Sequence, residues 1–261
     1  MSADRAAWAA ELLAMFDPDA PEISRDRLLA LAASTSDPAA RAVALTGAAR
    51  AAGLAGDEEH AAAWLDEASE QSADVEVGVR VVLERGRLLR TAGDPTAARE
   101  CFERALTLCG DTLDVTPLGG LIIDALHMIA VTVEEPEGQV DLTRRALDLA
   151  AASADPFARR WRASLLNNLG CALVDAGRPG EALPAFTEAL RLREAAGDRR
   201  ATQVARWMVG WGLRLVGRTE EARAVQERLL EELHADGIDD VHVLRELALL
   251  AAGDSPGWHS G

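Results

Sequence analysis

An internal repeat is the feature of this sequence that most constrains its fold. Starting at Gly170, small or apolar residues follow at offsets of 3, 7, 12, 16 and 19, and the last three are Ala182, Phe186 and Ala189. Starting at Gly86, the same offsets give the same residue types, including a phenylalanine at offset 16 in a chain that holds only four. Repeats of this length bury their apolar faces against the next copy. The sequence therefore predicts an array of similar units.

Three weaker copies of this pattern have their reference positions at Ala49, His127 and Gly210. The five reference positions, 49, 86, 127, 170 and 210, are 37, 41, 43 and 40 residues apart. The predicted repeats span residues 37–73, 74–112, 115–153, 156–197 and 198–235. Capping helices are predicted at 1–36 and 238–252, a flexible tail at 253–261, and a single domain over 1–255.

Each copy is predicted to form two helices joined by a short polar turn. In "DAGRPGEA" and "TAGDPTAA" the glycine can close the first helix in the left-handed conformation, and the proline can open the second. Alanine and leucine dominate the apolar residues, and aromatic residues make up only 4% of the chain, which favours helices over sheets. The predicted fold is all-α, a right-handed α-solenoid of about five stacked antiparallel helix pairs.

These small-residue and phenylalanine positions, together with "LLNNLG", resemble the signature of the tetratricopeptide repeat. The period exceeds the ~34 residues of the standard repeat. In that respect, and in the linker "LREAAGDRR", the chain is similar to kinesin light chains and to stand-alone bacterial repeat proteins. The resemblance implies a scaffold in which the first helix of each pair lines a concave groove. It also implies a role for Asn168, because peptide-clamping members of the family hold the peptide backbone with an asparagine at that place.

The groove-lining positions carry amides, arginines and tryptophans at helical spacing. The candidate ligand-binding residues are Arg80, Arg87, Arg90, Asp124, His127, Asn167, Asn168, Trp207, Trp211 and Arg214. Arginine can grip a carboxylate or phosphate with two hydrogen bonds, and neighbouring tryptophans can offer a flat apolar surface. These residues predict a protein or peptide partner, bound as an extended segment with an acidic or carboxylate anchor. The leading hypothesis is thus a protein-interaction module.

Each of these residues also has a structural interpretation. The arginines could pair with Glu84 and Asp124, the tryptophans could fill gaps between helix pairs, and the asparagines could cap a neighbouring helix. His127 could be a satisfied interior histidine, although Asp124 lies one turn before it. An alternative function is a small-molecule sensor or a self-associating adaptor, such as a homodimer, that uses the same face.

Charge and composition exclude several other functions. The 43 acidic and 27 basic residues give a formal charge of −16, which disfavours nucleic acids and anionic membranes as partners. Every basic residue is an arginine, so mechanisms that need lysine are excluded. The longest apolar run, residues 118–133, is too short to span a bilayer. Three cysteines and an N-terminus unlike a signal peptide predict a cytoplasmic protein.

Catalytic patterns are weak in this sequence. There is no metal-ligand spacing of histidines on one helix and no Cys-x-x-Cys motif, so neither a metal nor a cofactor is expected. A catalytic group of Cys171, His127 and Asp124 is conceivable, but a histidine and an aspartate three residues apart on a helix are common. The sequence therefore predicts that the protein is not an enzyme. Trp258 and His259 lie in the predicted tail, where disorder is the expectation.

Overall fold

The computed structural model describes residue 12 and residues 14–253, and within them it contains helices and no strand. Two predicted segments lie partly or wholly outside the described residues. These are the tail beyond residue 253, with Trp258 and His259, and residues 1–11 and 13 of the N-terminal cap. The chain divides into two compact units. Unit 1 comprises residues 1–133 and 148–161, and unit 2 comprises residues 134–147 and 162–261.

Unit 1 is built from antiparallel helices joined by short turns. Its helices are α1 (Pro21–Ser34), α2 (Pro38–Leu54), α3 (Glu58–Gln71), α4 (Val75–Thr91), α5 (Pro95–Cys109), α6 (Leu118–Ala130) and the short α8 (Pro156–Arg160). Helices α2 and α3 pack as one pair, and α4 and α5 pack as the next. Because α2 also packs against α4, the first helices of successive pairs are neighbours.

Unit 2 repeats this arrangement. Its helices are α9 (Arg162–Asp175), α10 (Pro179–Ala196), α11 (Arg199–Leu215), α12 (Thr219–Ala235) and α13 (Val241–Ala252). Helix α7 (Pro136–Ala152) contributes its residues up to 147 to unit 2 and the remainder to unit 1. Helices α9 and α10 form one pair and α11 and α12 the next, while α13 packs against both α12 and α11.

Aspartate and proline define the starts of many of these helices. The Asp94 carboxylate accepts a hydrogen bond from the Ala97 backbone N–H at 2.9 Å, and Pro95 occupies the first turn of α5. Asp198 caps α11 in the same way. The turn glycines Gly93 and Gly177 have φ values of +85° and +72°, which side chains with a Cβ rarely adopt. Local sequence therefore sets where the helices begin and end.

The contact between glycine and phenylalanine explains the strongest repeat positions. Phe102 and Phe186 are fully buried, and each lies against the glycine of the preceding helix, Gly86 or Gly170. A Cβ added at either glycine would collide with the phenylalanine ring. The two helices of a pair can therefore pack this closely only because the first helix has a glycine, without a side chain, where the second has a phenylalanine ring.

The last copy replaces this aromatic ring with an amide. Gln226 occupies the phenylalanine position opposite Gly210 and is fully buried. Its Nε2 donates a hydrogen bond to the Trp207 carbonyl oxygen at 3.2 Å, while its Oε1 has no hydrogen-bond partner among the described residues. A buried amide oxygen without a partner destabilises the folded state, so this pair is held less well than the two with phenylalanine.

Candidate functional site

The site is built on three helices of unit 1: α2 and α4, which are the first helices of the two pairs, and α6. Side chains from all three converge on one group, which we name the unit 1 charge cluster. It consists of Arg50, Glu84, Arg87, Asp124 and His127. The arginines come from α2 and α4, the carboxylates from α4 and α6, and the histidine from α6. Long-range packing of helices, rather than local sequence, brings these charges together.

Arg87 is the best-bound member of the cluster. Its Nη1 lies 2.6 Å from Glu84 Oε1, and its Nη2 lies 2.5 Å from Asp124 Oδ1. Burial alone would lower the pKa of Arg87, but the Asp124 and Glu84 carboxylates hold it above its usual value. Burial likewise opposes ionisation of Asp124, yet Arg87 and Arg50 keep the pKa of that carboxyl below its ordinary range. Both hydrogen-bonding ends of Arg87 are therefore occupied within the protein.

Arg50 is held more loosely. Its Nη1 lies 3.5 Å from Glu84 Oε1 and 3.9 Å from Asp124 Oδ2, and 34% of its side chain is exposed. Its guanidinium also lies over the ring of Phe16, 5.3 Å from the centroid. Long contacts of this kind contribute little to stability. An incoming carboxylate could replace them at small cost.

His127 packs against an aromatic ring and several charges. The Trp161 ring, in the segment between α8 and α9, lies 5.5 Å from the imidazole between centroids. Burial lowers the pKa of His127; Asp124 acts in the opposite sense, and three arginines reinforce the lowering. These arginines are Arg87, Arg50 and Arg90. The neutral ring is therefore favoured at neutral pH.

Arg90 differs from the other arginines predicted for the groove. Its side chain is exposed, and no described residue forms a hydrogen bond or ion pair with its guanidinium. By contrast, Arg80 donates to Glu76 at 2.9 Å one turn earlier on α4. Arg90 lies one turn beyond Arg87, close enough for its charge to act on His127. It presents a guanidinium that is unpaired among the described residues and lies beside the unit 1 charge cluster.

Arg214 belongs to unit 2 and is fully engaged there. Its Nε and Nη2 donate to the two carboxylate oxygens of Glu246 at 2.7 and 2.9 Å, and both residues are buried. The partner comes from α13, the helix that follows the last pair. Sequence reasoning had paired no residue with Arg214. The sequence signal that predicts such partners is a separation of about one repeat between an arginine and a carboxylate. The pairs Arg50–Glu84, Arg87–Asp124 and Arg214–Glu246 are separated by 34, 37 and 32 residues.

The predicted tryptophan surface in unit 2 is largely taken up by packing. Trp207 and Trp211 stack with their centroids 5.8 Å apart, and Trp211 is only 8% exposed. Trp211 also contacts the Phe186 ring at 5.7 Å, and Trp207 contacts the His242 ring edge-on at 6.0 Å. These contacts support the structural interpretation, in which the rings fill space between helix pairs.

The two asparagines lie half-buried on α9. Asn168 takes the helix position that Glu84 takes on α4, two residues before the reference glycine, so the two residues correspond within their repeats. The side-chain oxygen of Asn167 is buried and has no hydrogen-bond partner among the described residues. Neither asparagine belongs to the unit 1 charge cluster.

Three observations bear on other kinds of site. Burial raises the pKa of the Cys171 thiol to about 11, so the thiolate needed for nucleophilic attack is scarce at neutral pH. Within the described residues there is no cluster of histidine, cysteine and carboxylate side chains that could hold a metal ion. No helix in the described part of the chain has the length and apolar character required to cross a membrane.

Comparison with known proteins identifies the repeats. Two models of the tetratricopeptide repeat match the chain, at residues 161–231 and 79–112. These ranges contain the two copies with phenylalanine and the copy at Gly210. No curated protein matches the chain.

Several solved structures share the fold at low sequence identity. A chain of the APC/C hetero-tetramer Cut9–Hcn1 is 16% identical with a TM-score of 0.63, over 89% of this chain and 40% of that one. BtubC (BKLC) from P. vanneervenii is 15% identical with a TM-score of 0.60, over 98% and 96% of the two chains. The TPR-like repeats of a protein described as a kinesin light chain from Podosopora anserina are 15% identical, with a TM-score of 0.58 over 78% and 99%.

These matches confirm the predicted all-α fold of helix pairs and the resemblance stated from the sequence. The chain spans less than half the length of the Cut9–Hcn1 chain that it matches. At these identities the structural likeness is one of fold, whereas the family models identify the repeats directly. The chain therefore contains tetratricopeptide repeats, at residues 79–112 and 161–231.

Proposed function

We propose that this protein is an interaction module that binds an acidic segment of a partner protein at the unit 1 charge cluster and Arg90. The observation that carries the proposal is the exposed Arg90 guanidinium, which no described residue neutralises. Together with Arg90, the cluster holds three arginines against two carboxylates and a histidine that favours its neutral form. This excess of positive charge lies on a chain whose formal charge is −16. A carboxylate is the ligand that such a site attracts best.

Within this proposal the arginines have different roles. Arg90 makes the primary contact with the ligand carboxylate, because it needs no rearrangement to do so. Arg50 supplies a second contact by leaving its long interactions with Glu84 and Asp124. Arg87 positions the cluster through Glu84 and Asp124 and does not itself contact the ligand. In unit 2 we propose that Asn168 holds a backbone amide of a bound segment, since one side-chain amide can both donate and accept.

The proposal includes a cellular location and excludes catalysis. The three cysteines are all unpaired, and burial raises the pKa of both Cys109 and Cys171 to about 11, as expected of structural thiols in a reducing compartment. A cytoplasmic protein fits this pattern. The bound Asp124 and the protonated Cys171 support a binding function over a hydrolytic one.

The proposal can be tested with two matched pools of synthetic octapeptides. Both pools are capped at their termini and random in non-acidic residues, with glutamate fixed at the fourth position of one pool and glutamine at that position of the other. The immobilised protein should retain the glutamate pool in preference. Because a hydrogen bond to a charged group contributes about 1.5–3 kcal/mol, Arg90→Ala should weaken retention by at least about tenfold.

The matched control is Arg104→Ala. Arg104 is exposed on α5 of the same unit, and no described residue forms an ion pair with it. Removing it changes the net charge equally and should leave retention unchanged. Equal retention of the two pools, or equal losses from the two variants, would contradict the proposal. Circular dichroism of each variant verifies that it is folded.

A further inference from the structure

The histidine beside the proposed anchor can exchange a proton within the physiological range of pH. In unit 1 its ring packs against the Trp161 ring, and charged groups on three helices act on it electrostatically. The charged groups are Asp124 on its own helix, Arg87 and Arg90 on α4, and Arg50 on α2. Of these charged groups, Asp124 favours a charged imidazole and the arginines oppose it.

We propose that carboxylate binding at Arg90 and protonation of His127 are coupled, so that the unit 1 charge cluster binds acidic segments more tightly as the pH falls. This inference rests on the proposed function, because it concerns the same ligand and the same anchor.

The coupling follows from the arrangement of charges. In the unliganded protein, protonation of His127 would place a further positive charge beside the guanidinium groups of Arg50, Arg87 and Arg90. A bound carboxylate offsets the charge of Arg90 and adds a negative charge near the ring. The imidazolium is therefore opposed less strongly in the complex than in the free protein. Asp124 favours the imidazolium only in part, because Arg87 already engages its carboxylate at 2.5 Å.

The direction of the pH dependence follows from linkage. Burial and the arginines lower the pKa of His127 in the free protein, and a bound carboxylate raises it. Between these two pKa values the complex binds one more proton than the free protein, so affinity increases as the pH falls through that window. Each unit by which the ligand raises the pKa corresponds to about a tenfold gain in affinity. Because the pKa of free His127 lies below its ordinary value of about 6.5, the gain in affinity is expected on the acidic side of that value. Below about pH 5 the ligand carboxylate itself begins to protonate, so affinity at pH 5.5 is compared with affinity at pH 7.5.

The first test uses acetate as the smallest carboxylate probe. The Cε1–H resonance of His127 is assigned by its loss in His127→Gln, and its pKa is measured by NMR in sodium acetate and in sodium chloride of equal ionic strength. We expect the pKa to be higher in acetate by about 0.5–1 unit, because a guanidinium grips a carboxylate more specifically than chloride. Equal pKa values in the two salts would overturn the coupling.

Arg90→Ala provides two further outcomes in the same experiment. The difference between acetate and chloride should disappear, because the anchor is gone. In chloride alone the pKa of His127 should rise, because one of the charges that lowers it has been removed. Arg104→Ala should reproduce the wild-type values in both salts. A persistent acetate effect in Arg90→Ala would place the carboxylate elsewhere and overturn the proposal.

The second test measures affinity and separates the inference from the proposed function. The tightest peptide recovered from the glutamate pool is titrated at pH 5.5 and pH 7.5 against wild type and His127→Gln. Wild type should bind several-fold more tightly at the lower pH, and the variant should show no such gain. Peptide binding that is equally tight at both pH values would overturn the coupling and leave the proposed function intact. A different result is that the protein retains the glutamate and glutamine pools equally while acetate still raises the pKa of His127. That result would refute the peptide-binding function and leave the coupling between carboxylate binding and His127 protonation intact.

Discussion

Arg90 and Arg214 occupy the same place in two copies of the repeat, four residues after Gly86 and Gly210, and the structure gives them different roles. Arg214 is buried and forms two hydrogen bonds with Glu246 of α13. Arg90 is exposed, and no described residue pairs with it. The difference shows that an arginine at the same repeat position can be structural or available for a ligand, depending on whether the next helix in the stack brings it a carboxylate.

The largest effect is expected at the buried pair. Glu246→Ala leaves the Arg214 guanidinium buried without its carboxylate, and it should lower the free energy of unfolding by about 3–5 kcal/mol. Glu227→Ala, which removes an exposed carboxylate from α12, is the control and should change stability by less than about 0.5 kcal/mol. Urea unfolding followed by tryptophan fluorescence measures both. If Glu246→Ala lowers the free energy of unfolding by less than about 1 kcal/mol, the Arg214–Glu246 pair contributes little to stability.

A double variant separates charge from packing at the same place. Arg214→Met combined with Glu246→Leu replaces the pair with apolar side chains and should recover most of the stability lost in Glu246→Ala. Recovery would show that the single variant suffers from an unpaired charge. Continued instability would show instead that the hydrogen bonds of the pair are required to hold α13.

A smaller effect is expected when the two arginines of α4 are compared directly. Arg87→Ala removes the hydrogen bonds to Glu84 and Asp124 and should cost about 2–3 kcal/mol, because Arg50 compensates only in part. Arg90→Ala, one turn away, should change stability by less than about 0.5 kcal/mol while weakening retention of the glutamate pool. Thermal and urea unfolding of the two variants provide the measurement. A large stability loss in Arg90→Ala would contradict its role as a free anchor.

The smallest effect concerns the copy in which α11 carries Arg214. Gln226→Phe introduces the aromatic ring that faces glycine in the two strong copies, and it removes an amide oxygen that has no partner among the described residues. Stability should increase by about 1 kcal/mol, which a shift in the urea midpoint would report. The matched change Phe186→Gln should lower stability, since it recreates the weaker arrangement opposite Gly170. A destabilised Gln226→Phe protein would mean that the ring does not fit this pair.

Sequence reasoning predicted the all-α fold because its signals are local. Capping aspartates, prolines in the first turn and glycines with positive φ act within a few residues of their own helix. The glycine and phenylalanine positions reported how the two helices of a pair approach each other. The same reasoning placed Arg87, Asp124 and His127 among the groove-lining residues and gave pairing of the arginines with Glu84 and Asp124 as the structural interpretation; in the structure Arg87 pairs with both carboxylates.

Sequence reasoning could not identify which of the predicted binding residues already contact other side chains of the protein. The position of Trp211 in the repeat is the same whether its ring is exposed or buried, and in the structure the ring lies against Phe186. Likewise, Phe16 gives no sign in the sequence that it lies under the Arg50 guanidinium. Such contacts join residues far apart in the chain, and several partners are compatible with any one position.

The sequence by itself determined the helix pairs, their repeat and the placing of arginines on the first helices, because each depends on the spacing of residues along one or two helices. Only the tertiary structure decided which arginine is free. An ion pair forms with whichever carboxylate the neighbouring helix brings within about 4 Å, and that distance depends on packing across a whole repeat. Arg87 and Arg214 pair with carboxylates 37 and 32 residues away, and Arg90 pairs with no carboxylate among the described residues.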